Sequence, residues 1–119
     1  LYISNWGTTP AGPLKGPTIL SMRLFLPDDA IRAIEITARY PRVHGTPVHF
    51  GNPKMIGIDD IMQPYSGVSP VMHENEEPVF WACGVTPQVI VEHAKPPICI
   101  THKPGHMLIT DRLNTELAD

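Results

Sequence analysis

The sequence predicts an α/β fold, a mixed sheet with helices packed on it, with a two-layer α+β arrangement as the alternative. Three observations lead there. Apolar runs of strand length alternate with helical stretches, in the order strand, helix, strand, short helix, strand, helix, strand, strand. The 14 prolines and 9 glycines are scattered among the apolar segments, as turn punctuation is, and are not gathered into a low-complexity tail. Hydrophobic residues make up 42% of the 119 residues and charged residues 18%, a balance that fills one core and argues against disorder. One domain spanning residues 1–119 is therefore expected.

Each element has its own signal. Tyr2-Ile3 reads as the end of a strand and residues 5–17 as a Gly/Pro-rich entry loop. Thr18–Phe25 is an apolar strand that carries Arg23. Pro27-Asp28-Asp29 opens a helix, because Pro is pre-set for the first turn and carboxylates suit the positive end. Ala30, Ile31, Ile34 and Ala38 recur at helical spacing, and Tyr40-Pro41 ends the element. Thr46–Phe50 reads as a short strand, after which Asn52-Pro53 caps a brief helix. Residues 59–77 form an acidic, turn-rich excursion. Val79–Cys83 is a buried strand, Thr86-Pro87 a cap and start for a helix to about Ala94, and Pro96-Pro97 its stop. Ile98–His102 and Met107–Thr110 read as strands around a Pro104-Gly105 turn.

Composition excludes several classes of function. The net charge is −3 with no Lys/Arg block, so no nucleic-acid surface is expected. The apolar stretches are too short to cross a bilayer, so no membrane partner is expected either. Cys83 and Cys99 lie inside apolar runs, which favours a reduced compartment over a disulfide framework, and Cys99 reads as core. Location is expected to be cytoplasmic, or mitochondrial if a targeting segment precedes Leu1. The sequence contains no Gly-rich phosphate loop, GxSxG elbow, HExxH or CxxC. No cofactor is expected. The partner is a small-molecule substrate, with self-association an added expectation for so apolar a chain.

Polar, titratable groups placed where apolar strands end point to a small-molecule site. His44 and His49 lie in HGTPVH, and His102 and His106 in HKPGH. Histidine titrates near neutrality and carries protons in enzymes, so His49, His102 and His106 are the catalytic candidates. Their spacing matches no standard zinc pattern, and no metal is assigned. Cys83, just ahead of a helix start, is a candidate nucleophile or else a small apolar residue closing a strand. Thr86 and the N–H groups behind it suit a carboxylate, with Gln88 adding an amide. Arg23 supplies a fixed cation, Trp81 an apolar wall or core residue, and His44 and Asp111 further substrate contacts or orienting groups.

At these residues the chain resembles a known family, the hydro-lyases that include D-glutamate cyclase. GPTILSMRLF (16–25), EITARYPRVHGTPVHFGNP (35–53), PVFWACGVTPQ (78–88) and ITHKPGHMLITD (100–111) look like that family's signature blocks in their order. The LYISN start resembles its Tyr-x-Thr-Asn segment, with Ser4 where Thr is usual. The resemblance implies a chain about twice this length, of which this is the C-terminal part. It also implies an α/β fold with a smaller two-layer α+β part, and a lyase of amino-acid metabolism that closes D-glutamate to 5-oxo-D-proline with loss of water. A non-catalytic module that binds a small carboxylate is the alternative, since the same helix N-termini would serve it.

Overall fold

The computed structural model describes residues 1–118. Four strands form one sheet in the order β1-β2-β4-β3, with every pairing antiparallel. They are β1 (Tyr2–Gly7), β2 (Pro17–Phe25), β3 (His49–Phe50) and β4 (Glu77–Ala82). The helices are α1 (Pro27–Ala38) and α2 (Thr86–Ala94), with one-turn 3-10 helices at Pro53–Ile56 and Asn114–Leu117. The expected combination of sheet and packed helices is present, in its α+β form. The pairing is uniformly antiparallel because α1 does not return the chain parallel to β2. β4 lies beside β2 only after the long excursion, and runs the other way.

Strand alternation divides the core in two. The register Leu20↔Ala82 and Met22↔Phe80 puts Leu20, Met22 and Phe80 on one face, where they pack with Tyr2, Ile56 and Ile58. The other face carries Ile19, Ser21, Arg23 and Phe25 from β2, with Val79 and Trp81 from β4. There α2 covers Ile19 through Val85 and Val89, and α1 covers Val79 and Trp81 through Ala30. Phe80, Ile19, Leu20, Ile56 and Val79 are fully buried, and each side chain so sealed stabilises the fold by roughly 1.5–3 kcal/mol.

On the face that both helices pack against, Ser21 is half-buried and Arg23 exposed, and neither belongs to the clusters beneath the helices. The inner face of α1 is Ala30 with Ala33, Ile34 and Thr37 rather than Ile31 and Ala38, which are exposed. Trp81 decides this rotation: its indole N–H donates to Thr37 Oγ1 at 3.2 Å, while Thr37 donates to the Ala33 carbonyl at 2.8 Å. α2 begins as expected, but Thr86 is not its cap. Val85 precedes the helix, and the Thr86 hydroxyl accepts the Ile19 N–H at 2.9 Å, tying α2 to the central strand.

On the opposite face Asn52 caps the first 3-10 turn as predicted, its Oδ1 accepting from Lys54 N at 3.1 Å. Gly57 ends that turn at φ +78, where a Cβ would lie 2.7 Å from Asn5 Cβ and 3.1 Å from Asn5 N. β1 is longer than expected, reaching Gly7 opposite Pro17 across a register shift, so only the tip at Thr8–Gly16 is loop.

The expected strands at Ile98–His102 and Met107–Thr110 are not formed. The Lys103–His106 turn closes, with His106 N donating to the Lys103 carbonyl at 3.0 Å, but neither flank pairs. Ile100 is 92% exposed and Ile109 93%, and Cys99 is exposed rather than core. A strand needs a neighbour for its N–H and C=O groups, and none of the four strands supplies one. Among the described residues no helix is long and apolar enough to cross a membrane.

Candidate functional site

Ser21 and Arg23 border a cavity of about 650 Å³. Its floor is β2, which presents Ser21 and Arg23 two residues apart on one face. One wall is the β4–α2 junction, Cys83-Gly84-Val85, and the other is His44 from the turn after α1. The rim is the stretch His102–Met107, contributing His102, Pro104, Gly105, His106 and Met107. No Asp or Glu lines this cavity, although the chain as a whole is acidic. Arg23 is its fixed cation, and its Nη1 donates to its own strand's Met22 carbonyl at 2.8 Å, which restrains the guanidinium against the floor. The arrangement favours an anion.

Hydrogen bonds assign the imidazole protons. His44 Nδ1 is 2.7 Å from the Ala82 carbonyl. A carbonyl only accepts, so Nδ1 carries the proton and Nε2 is the basic nitrogen. His106 Nδ1 likewise donates to the Pro104 carbonyl at 3.2 Å, leaving Nε2 basic. His102 is opposite in sense. The Gln88 amide nitrogen donates to the His102 carbonyl at 2.9 Å and to its Nδ1 at 3.3 Å, so Nε2 carries the hydrogen. The site therefore holds imidazoles of both tautomers.

The start of α2 contributes differently from expectation. The Thr86 N–H is bonded to the Cys83 carbonyl at 3.1 Å and the Gln88 N–H to the Val85 carbonyl at 2.9 Å. The Thr86 hydroxyl is committed to Ile19. Neither residue has a free backbone donor for a carboxylate. The N–H groups with no acceptor among the described residues are those of Gly84 and Val85, one turn earlier, and both residues line the cavity. Leu1 and Ser66 also line the cavity, and Leu1 N donates to the Ser66 carbonyl at 2.7 Å.

Of the residues singled out from sequence, Arg23, His44, Cys83, His102 and His106 are brought together here. Gln88 stands behind His102 and does not line the cavity. Three others are elsewhere. His49 pairs with Phe80 across β3–β4, which turns it to the opposite face of the sheet. There its ring packs against Phe80 at 5.8 Å and its Nε2 donates to the Asn52 carbonyl at 2.8 Å. Trp81 is buried under α1, and Asp111 is exposed outside the cavity. The two strand–cap–Pro junctions, at Gly51–Pro53 and Gly84–Pro87, likewise serve opposite faces. Sequence reasoning passed over Ser21 and the Gly84 and Val85 amides; the period of two from Arg23 back along β2 points to Ser21. Among the described residues no three His, Cys, Asp or Glu side chains are grouped to hold a metal ion.

A two-layer α+β domain with an anion-favouring cleft beside its central strand β2 is the class that this geometry defines. Comparison with known proteins gives the family. The sequence model of the D-glutamate cyclase family matches residues 1–111, and the chain belongs to that family. Three similar relatives each carry the name "Putative hydro-lyase". The protein of Aliivibrio salmonicida is 55% identical over 118 residues, covering 99% of this chain and 45% of the relative. The Verminephrobacter eiseniae protein is 58% identical over 117 residues, covering 98% and 43%. That of Bordetella pertussis is 54% identical over 118 residues, covering 99% and 43%. The chain thus spans less than half the length of the relatives it matches.

Proposed function

We propose that this chain supplies the catalytic cleft of a hydro-lyase acting on a small carboxylate, and that the substrate is D-glutamate, closed to 5-oxo-D-proline with release of water. The observation that carries the reading is the cleft's lining: Arg23 and three histidines drawn from distant segments, with no acidic side chain among them. The family's name and those of its relatives support the reaction class.

In this reading Arg23 holds a substrate carboxylate. The basic Nε2 of His44 takes a proton from the ammonium group, and the freed amine attacks the side-chain carboxyl carbon. The new C–N bond leaves charge on oxygen, and the Gly84 and Val85 N–H groups and the His102 Nε2–H are the donors assigned to stabilise it. The C–O bond then breaks. The two protons lost by nitrogen are the two gained by the departing oxygen, carried by His44 and His106, so one water leaves and nothing is oxidised or reduced. Cys83 forms no covalent bond in this scheme and acts as a wall residue.

The test joins this chain to the remaining part of the Verminephrobacter relative and follows 5-oxoproline from D-glutamate by chromatography. Turnover is expected, with His44→Gln lowering kcat by about 100-fold or more and Arg23→Met acting mainly on KM. Cys83→Ser should retain activity. Ligand-induced thermal stabilisation by dicarboxylates without any turnover would replace the enzyme by a binding module.

A further inference from the structure

The stretch from Pro96 to Leu113 is apolar yet uncovered. Ile98, Ile100, Met107, Leu108 and Ile109 are each more than four-fifths exposed. Among the described residues only two side chains tie residues 96–118 to the rest by hydrogen bonds: Gln88 to His102, and Arg42 to the Glu116 carbonyl at 3.4 Å. The whole-molecule numbers agree. The accessible surface is 8533 Å², whereas a compact monomer of 13.2 kDa exposes about 6400 Å². The radius of gyration is 15.5 Å, against about 13.5 Å for a compact domain of this length. The excess surface, about 2100 Å², is of the size that permanent interfaces bury.

We infer that the Ile98–Thr110 stretch is a docking hairpin, and that its occupant is the portion of the family polypeptide that this chain does not contain. Three facts select that occupant. The stretch lies within the family match, which runs to residue 111, so it belongs to the family's domain and not to an appended tail. The relatives devote more than half of their length to sequence lying outside this chain. The Lys103–His106 turn is already closed, with Gly105 at φ +77, between two runs of strand composition that lack only a neighbouring strand. Pairing both flanks would bury the exposed row and hold His102 and His106 in place at the cavity rim. The inference rests on the cavity reading only for that last consequence.

Hydrogen exchange tests it without reference to turnover. The 119-residue chain is compared with the same residues joined to the rest of the Verminephrobacter relative. Amides of Ile98–Thr110 should exchange freely in the chain alone and at least about 100-fold more slowly in the longer protein, with β2 and β4 protected in both. Ile100→Asp and Ile109→Asp should be silent in the chain alone, where both side chains face water, and should remove the added protection in the longer protein. Unchanged exchange of Ile98–Thr110 on joining the two parts would overturn the proposal. So would protection that appears in the chain alone and grows with its concentration, since the occupant would then be a second copy. Because exchange is read whether or not 5-oxoproline forms, loss of the reaction assignment would leave this result standing.

Discussion

The Val79–Trp81 run of β4 and the Ile98–Ile100 run near the C-terminus are both three residues of strand-forming character, bounded by prolines or turns. Val79 and Phe80 are fully buried, whereas Ile100 is 92% exposed. β4 is flanked on both edges, by β2 and β3, and capped by α1 on one face. The later run has none of these. Both runs are rich in strand-preferring residues; the presence of a neighbour is what separates them. Apolar character in this chain therefore reports where a surface is meant to be covered, not where the covering is.

The largest effect that sharpens this contrast is at Phe80. Phe80→Ala should destabilise the chain by about 3–5 kcal/mol, read as a lower urea midpoint. Ile109→Ala in the same chain should stay within about 0.5 kcal/mol. Equal losses at the two positions would mean that the exposed stretch is covered after all. Next is Thr86→Val, which strips the acceptor from the Ile19 N–H in a fully buried part of β2. It should cost about 1–3 kcal/mol, and α2 should lose exchange protection before β4 does.

Tyr2→Phe is smaller at neutral pH, about 1 kcal/mol, for the loss of its hydroxyl bond to the Ile61 carbonyl at 2.6 Å. Its pH signature is distinctive. Burial, and secondarily Asp60, raise the Tyr2 pKa above the ordinary 10.0. The neutral phenol is thus favoured in the folded state. Its contribution is fully present below pH 10.0 and is lost as pH rises through the higher folded value. Stability of Tyr2→Phe should fall less steeply above pH 10.0 than that of the parent chain. Smallest is Gln88→Ala, expected within about 0.5 kcal/mol, because Gln88 tethers only the loosely held stretch. Exchange in the sheet should be unchanged, and the urea midpoint should stay where it is.

How much could be read beforehand follows the same division. Pro27-Asp28-Asp29, the β2 and β4 runs, the Asn52 cap and the Thr86-Pro87 start are local signals, and each produced its element. The two late strands failed because their evidence was equally local while their pairing is not. In the site, Arg23, Cys83, His44, His102 and His106 were visible as chemistry-bearing residue types, and the cavity collects them. His49 shares the segment HGTPVH with His44 and the same proton-carrying chemistry. Its position opposite Phe80 in the register, invisible without the sheet, turns it to the other face. The Thr86-Pro87 pair has the local pattern of a cap, whereas a hydrogen bond spanning sixty-seven residues claims the Thr86 hydroxyl.

Gly57 carries a consequence of its own. Even the smallest side chain there would overlap Asn5 and wedge β1 outward from the turn beneath it. The same strand begins beside Leu1, which lines the cavity on the far side of the sheet. An alanine at this hinge point would thus act as a lever, and damage introduced well away from the imidazoles would surface as a misshapen pocket.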